Sequence, residues 1–314
     1  MGMLDFLRKP FATAVTAAPR ATPGELFGNG FQAKLESLAI VSRRVFAGRM
    51  RAERRSKKKG SGVEFADHRD YAPGDDFRFV DWNVYQRFGR LLVRLYEEEE
   101  DLSIYFIVDC SASMGFGDGR KFDQARRLTA ALAYVGLANL DRVAIIGVND
   151  EVVAQVPSAR GKGRIWKLLQ FLEGLQTGGT TSLADAASKV VAQHQRRGLA
   201  VLVSDLYDPA GFERGINVLR YAKFEPYVVH VVDQKDSRPA LRGDVHLYDC
   251  ETGDEREVTV TDALLAKMKG AYREHLADIE RFCAKSQVPY FAADVDTPFD
   301  ELVLRVFRRG GFLR

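Results

Sequence analysis

Three short stretches carry oxygen-bearing side chains at spacings suited to binding a hard cation: Asp109-Cys110-Ser111-Ala112-Ser113, Gly178-Gly179-Thr180-Thr181-Ser182, and Ser204-Asp205. Together they offer paired hydroxyls, a threonine hydroxyl and the carboxylates Asp109 and Asp205, an all-oxygen set with little negative charge. Mg2+ favours six oxygens at roughly 2.0–2.1 Å and keeps some of its water, which suits so sparse a set. Ca2+ usually takes more carboxylates, and Zn2+ requires His or Cys. Mg2+ is the expected ion, with Mn2+ or Ca2+ as substitutes. Cys110 is expected to point away into the core, because neighbours on an extended segment face opposite sides. In the plainer reading, Asp109 and the hydroxyls only cap the turn and helix that follow.

The elements that must position these groups begin at Ser103. The apolar run Ile104 to Val108 stops abruptly at Asp109, the pattern of a buried strand delivering polar groups to its carboxyl tip. The alternation then predicts strand 103–109, helix 121–139, strands 142–148 and 151–156, and helices 164–175 and 182–196. Strand 199–205, helix 212–223, strand 227–232, helix 262–286, strand 288–294 and helix 298–308 complete it. This order specifies an α/β fold: a doubly wound, mostly parallel sheet covered on both faces. The hairpin 142–156, joined at Asn149-Asp150, places one antiparallel strand at an edge. A second hairpin, an insertion at about 242–262, turns at Thr252-Gly253. In open α/β sheets ligands bind beyond the carboxyl ends of the strands, so the three polar stretches are expected to converge there.

Three segments are read along the chain: 1–30, 31–100 and 101–310. The first mixes Ala, Thr, Pro and Gly without a period and reads as a mobile lead-in; a membrane-surface contact through Leu4, Phe6, Leu7 and Phe11 is the alternative. Phe31 to Phe46 has helical spacing. The basic run at 49–59 reads as a solvated loop, with an acidic partner, RNA or phospholipid as alternatives. Between Glu64 and Asn83, Arg69, Asp70, Asp75, Asp76, Arg78 and Asp81 alternate with Phe65, Tyr71, Phe77, Phe79 and Trp82. Such interleaving predicts half-buried Arg–carboxylate pairs in a small β-rich segment, with Pro73-Gly74 turning between extended pieces and Trp82 in the core. Leu92, Arg94 and Tyr96 read as a strand whose acidic end, Glu97 to Asp101, is an exposed corner.

A net charge of +3 over 314 residues is too mild to imply nucleic acid, which is not expected as a partner. Cys110, Cys250 and Cys283 have no paired spacing, and no apolar run approaches the ~20 residues of a membrane helix. A cytoplasmic address follows as an expectation. His68, His194, His230, His246 and His275 are scattered, and the stretch from Gly161 to Lys167 lacks a P-loop ending. The residue types thus offer no nucleophile–base pair, and the chain is read as a non-enzyme. Mg2+-dependent phosphoryl transfer is the alternative, but Ser111 stands where aspartyl-phosphate chemistry places a second acid.

DCSAS resembles the D-x-S-x-S signature of the von Willebrand factor A fold and its metal-ion-dependent adhesion site. That resemblance implies Ser111, Ser113 and Thr181 as direct metal ligands and Asp109 and Asp205 as ligands acting mainly through water. Thr180 is the substitute for Thr181, which has the better spacing to Leu183 and Ala186. A carboxylate from a binding partner would complete the coordination. The stretch RDYAPGDDFRFVDWN just upstream is similar to the hallmark of the bacterial domain-of-unknown-function-58 family. This second likeness implies partnership with a MoxR-type AAA+ ATPase acting on client proteins, the chain serving as adaptor or co-chaperone.

Overall fold

The computed structural model describes residues 26–28, 30–31, 33–38, 55–60, 64–99, 102–237 and 241–309. Most of the expected lead-in, the first helix beyond residue 38, and positions 49–54 of the basic run lie outside the described residues. The chain divides into a smaller unit, residues 43–101 with 313–314, and an α/β unit, residues 1–42 with 102–312.

In the smaller unit, β1 (Arg55–Gly60) and β2 (Glu64–Asp70) flank β3 (Leu92–Glu99) in an antiparallel sheet of order β1-β3-β2. Residues 55–59 of the basic run are therefore strand and not loop, and Glu97 to Glu99 continue β3, while residues 100 and 101 of the expected corner lie outside the described residues. Register pairs Lys59 with Glu97 and Arg55 with Glu99, with an irregularity between them. The turn at Pro73-Gly74 forms, with Gly74 at φ +105°. A 3₁₀ turn at Phe77–Phe79 and the helix α1 (Trp82–Phe88) follow it instead of a second extended piece. Asp81 explains the change: its carboxylate accepts from the amides of Asn83 and Val84 at 3.1 and 3.2 Å, capping α1. It also binds Arg94 Nε at 2.9 Å and His68 Nε2 at 3.0 Å. Asp75 takes a bidentate Arg69 fork at 2.5 and 2.7 Å, so the expected partly buried pairs exist at Asp81 and Asp75, while Arg78–Asp76 is exposed. Trp82, expected in the core, is 52% exposed because the helix turns it outward.

The α/β unit begins its sheet with β4 (Ser103–Asp109), followed by α2 (Arg120–Ala138), β5 (Arg142–Val148), β6 (Val152–Arg160), α3 (Ile165–Gly174) and α4 (Leu183–Gln193). Next come β7 (Leu199–Ser204), α5 (Phe212–Tyr221), β8 (Glu225–Val232), β9 (Gly243–Tyr248), β10 (Glu255–Val260), α6 (Asp262–Lys285), β11 (Tyr290–Asp294) and α7 (Phe299–Arg309). Six strands pair in the order β11-β8-β7-β4-β5-β6, all parallel except β6 at the edge. Strands buried on both faces read as unbroken apolar runs, and β4 and β7 are buried along their whole length. Tyr105 and Ile107 face a cluster with Leu183, Val190, Ile216 and Ile279, from α4, α5 and α6. Ile104 faces the other way, toward α2, where a Cβ on Gly136 would lie 3.1 Å from its Cδ1 and 2.9 Å from Val143 Cγ2. Helix and sheet approach closely there because Gly136 has no side chain. The helical residues 33–38 group with this unit, Leu35 being buried and the Phe31 and Phe299 rings 5.2 Å apart.

Successive strands step outward from β4 in opposite directions, β5 on one side and β7 on the other. The switch point thus falls between β4 and β7, whose carboxyl ends carry Asp109 and Ser204. The β9–β10 hairpin forms a separate antiparallel sheet, joined at a turn where Gly253 takes φ +73°.

Candidate functional site

Asp109, Ser111, Ser113 and Asp205 form one buried hydrogen-bonded chain at that switch point. The Ser111 amide donates to Asp109 Oδ1 at 2.9 Å, and Ser204 Oγ donates to Asp109 Oδ2 at 2.5 Å. The Ser111 and Ser113 hydroxyl oxygens lie 3.0 Å apart, and Ser113 Oγ donates to Asp205 Oδ1 at 3.3 Å. Immediately after Asp205 the backbone of buried Leu206 turns left-handed at φ +59°, uncommon for a bulky residue, and its amide is held by Ser204 Oγ at 2.9 Å. Cys110 is buried, its thiol pushed up to about 12 by burial and then by Asp109.

The threonine loop is stitched to this chain by its backbone. Gly178 N–H donates to Cys110 O at 2.8 Å, and Ala112 N–H donates to Gly179 O at 3.2 Å. Thr181 is buried while Thr180 is exposed. Thr181 is held by an acid that the sequence reading did not single out: its hydroxyl donates to Glu251 Oε1 at 2.6 Å and its amide to Glu251 Oε2 at 3.0 Å.

A second missed residue is Lys121, fully buried at the start of α2. Its ammonium lies 2.8 Å from Asp205 Oδ2 and 3.2 Å from Asp236 Oδ2. The signal was present: Arg120 and Lys121 put two cations in the first turn of a helix, where the macrodipole disfavours them unless acids answer. Arg120 is answered by Asp118, Asp233 and Asp296. Burial pulls the Lys121 ammonium down, but Asp205 and Asp236 outweigh it and leave it above its ordinary range. Burial pushes Asp109 up to about 7, helped by the charge of Asp205 and opposed by the Ser204 hydroxyl. Burial likewise raises Asp236 and lowers His230 to about 3, whose Nε2 lies 3.1 Å from the Asp205 carbonyl.

This donor set suits a small hard cation. Neighbouring ligands on an octahedron with ~2.05 Å bonds are about 2.9 Å apart, close to the spacing of the two serine oxygens. Asp205 divides its oxygens between Lys121 and Ser113, so one remains directed at the hydroxyls. Among the described residues no group of three or more His, Cys, Asp or Glu side chains is placed to hold a metal ion. A cation here would therefore rest on hydroxyl oxygens backed by single carboxylates. Among the described residues no helix is long and apolar enough to cross a membrane.

A family model described as "Protein of unknown function DUF58" matches residues 67–278. Uncharacterized proteins of Mycobacterium bovis and Mycobacterium tuberculosis are each 28% identical over 290 residues, covering 91% of this chain and 91% of theirs. Among solved structures, the conserved hypothetical protein BatB from Bacteroides thetaiotaomicron aligns with a TM-score of 0.40 and 12% identity, covering 66% of this chain and 96% of that one.

Proposed function

This chain belongs to the family of proteins of unknown function DUF58, and from that premise we propose that it is a Mg2+-dependent recognition module that grips an acidic side chain on a partner protein. The observation that carries the reading is the 3.0 Å approach of Ser111 Oγ to Ser113 Oγ, with Ser113 reaching Asp205 at 3.3 Å at the switch point of a parallel sheet. On this reading the site works as a von Willebrand factor A-like adhesion site. Ser111, Ser113 and Thr181 would hold the ion, and Asp109 and Asp205 would orient them and balance its charge. The ion itself would supply a hard Lewis-acidic position able to take a carboxylate.

By the family resemblance the partner is a MoxR-type AAA+ ATPase, with a client protein offering the carboxylate and this chain acting as adaptor. Phosphoryl transfer is the weaker reading. Asp109 is buried with one oxygen accepting from Ser204 Oγ at 2.5 Å and the other from the Ser111 amide at 2.9 Å, which disfavours it as a nucleophile, and a hydroxyl occupies the place of the second acid.

The test is capture of partners by the full chain in Mg2+ and in chelator, beside Asp109→Ala. Partners held only in Mg2+, and lost in a variant with unchanged circular dichroism, support the module. Capture that survives chelator refutes it.

A further inference from the structure

The β9–β10 hairpin is an appendage to the sheet, yet its tip reaches the threonine of the candidate site. Val260 is buried at its base, where Arg242 pairs with Asp262, and Leu247 is buried close to the tip. At the tip, Asp249 Oδ1 accepts the amides of Glu251 and Thr252 at 2.9 and 3.3 Å, and the Asp249 carbonyl accepts the Gly253 amide at 2.9 Å. This brace leaves the Glu251 side chain projecting, and both its oxygens are spent on Thr181. A two-stranded hairpin has little stability of its own, so its tip is held by the burial of Leu247 and by the Glu251 contact with Thr181.

We propose that Glu251 is a built-in occupant of the site: an internal carboxylate that takes the place meant for the partner's acid and must leave Thr181 before a partner binds. This rests on the recognition-module reading and adds its regulation. Two features of this one contact support it. Glu251 Oε1 lies 2.6 Å from Thr181 Oγ1, within the ~2.9 Å that separates neighbouring ligands on a Mg2+ octahedron. The grip is also bidentate on one residue, matching how a carboxylate would engage both the ligand hydroxyl and the adjacent amide. An outside acid would thus compete with Glu251, and release of the hairpin would couple partner binding to a visible movement of residues 249–254.

The test uses the full chain and Mn2+ as probe, with free ion followed by electron paramagnetic resonance, in wild type, Glu251→Ala and Glu251→Gln. Ser113→Ala sets the background. Loss of the internal acid should weaken Mn2+ binding by roughly 10–100-fold. Tens of millimolar acetate should then restore binding in Glu251→Ala and leave wild type unmoved, because only the variant has a place for an added carboxylate. Hydrogen exchange at the Thr181 amide should quicken in Glu251→Ala without a global loss of protection. Equal Mn2+ affinity in wild type and both Glu251 variants, insensitive to acetate, overturns the occupant while leaving the metal site standing. Mn2+ binding no better in wild type than in Ser113→Ala overturns the site and the occupant together.

Discussion

The Lys121 ammonium lies 2.8 Å from Asp205 Oδ2, and both side chains are almost wholly buried, at 2% and 1% exposure. A charge so enclosed persists only with its partners, and Asp236 completes the neutralisation at 3.2 Å. The α/β unit therefore carries a fixed organic cation beside its candidate metal site. Replacing it by Lys121→Met should strand Asp205 and Asp236 and cost on the order of 3–5 kcal/mol. Urea unfolding of the full chain measures this; a change below about 1 kcal/mol would mean the ion pair is dispensable.

Ser111→Ala and Ser113→Ala each remove one oxygen from the all-oxygen set while preserving backbone and volume. Each is expected to lower Mn2+ affinity by at least the roughly 10–100-fold typical of supporting groups, with melting temperature in chelator little changed. Calorimetric titration of both variants checks it. The pairing of lost affinity with retained metal-free stability separates ligation from mere capping of the turn.

Asp81 gives the smaller unit a pH signature. The Arg94 hydrogen bond holds its carboxyl below the ordinary 3.8, with burial opposing and His68 and the Val84 amide assisting. A depressed carboxyl contributes stability that is complete above the unfolded value and is lost as pH falls through the folded one. Asp81→Asn should therefore be less stable than wild type at neutral pH, and the gap should close as the solution is acidified below about pH 4. Thermal unfolding of both chains across that range measures it, and a gap that widens on acidification contradicts the assignment.

Gly215 in α5 lies against the start of α4: an added Cβ would sit 2.7 Å from Leu183 Cβ and 2.8 Å from its carbonyl carbon and oxygen. Because most of these atoms are backbone, they cannot swing aside. Gly215→Ala should cost about 1–3 kcal/mol and, by moving Leu183 two residues after Thr181, weaken Mn2+ binding as well. Paired unfolding and binding measurements test the coupling.

The sheet was legible because strands buried on both faces announce themselves as continuous apolar runs, Ile104 to Val108 most plainly, and because Asn149-Asp150 and Thr252-Gly253 mark their hairpins. The strand-end polar groups were legible for the same reason, since apolar runs that stop at Asp109 and Asp205 leave those groups at one edge. Glu251 and Lys121 were not, because their partners lie 70 and 84 residues away and a contact of that span leaves no local period. Strand β1 was missed because charge dominates its composition and its pairing partner arrives only at β3. The seven-residue α1 is too short to show a helical period, and its start rests on the single cap at Asp81.

Strand β4 sits in the middle of the sheet but is made first, and the neighbour that closes one side of it supplies Ser204, 95 residues after Asp109. A nascent chain that has emerged only as far as α4 would show solvent a long, apolar, unprotected strand edge. Truncation or stalling before β7 should thus yield aggregating fragments, and protection of this stretch during synthesis would matter more than for any outer strand.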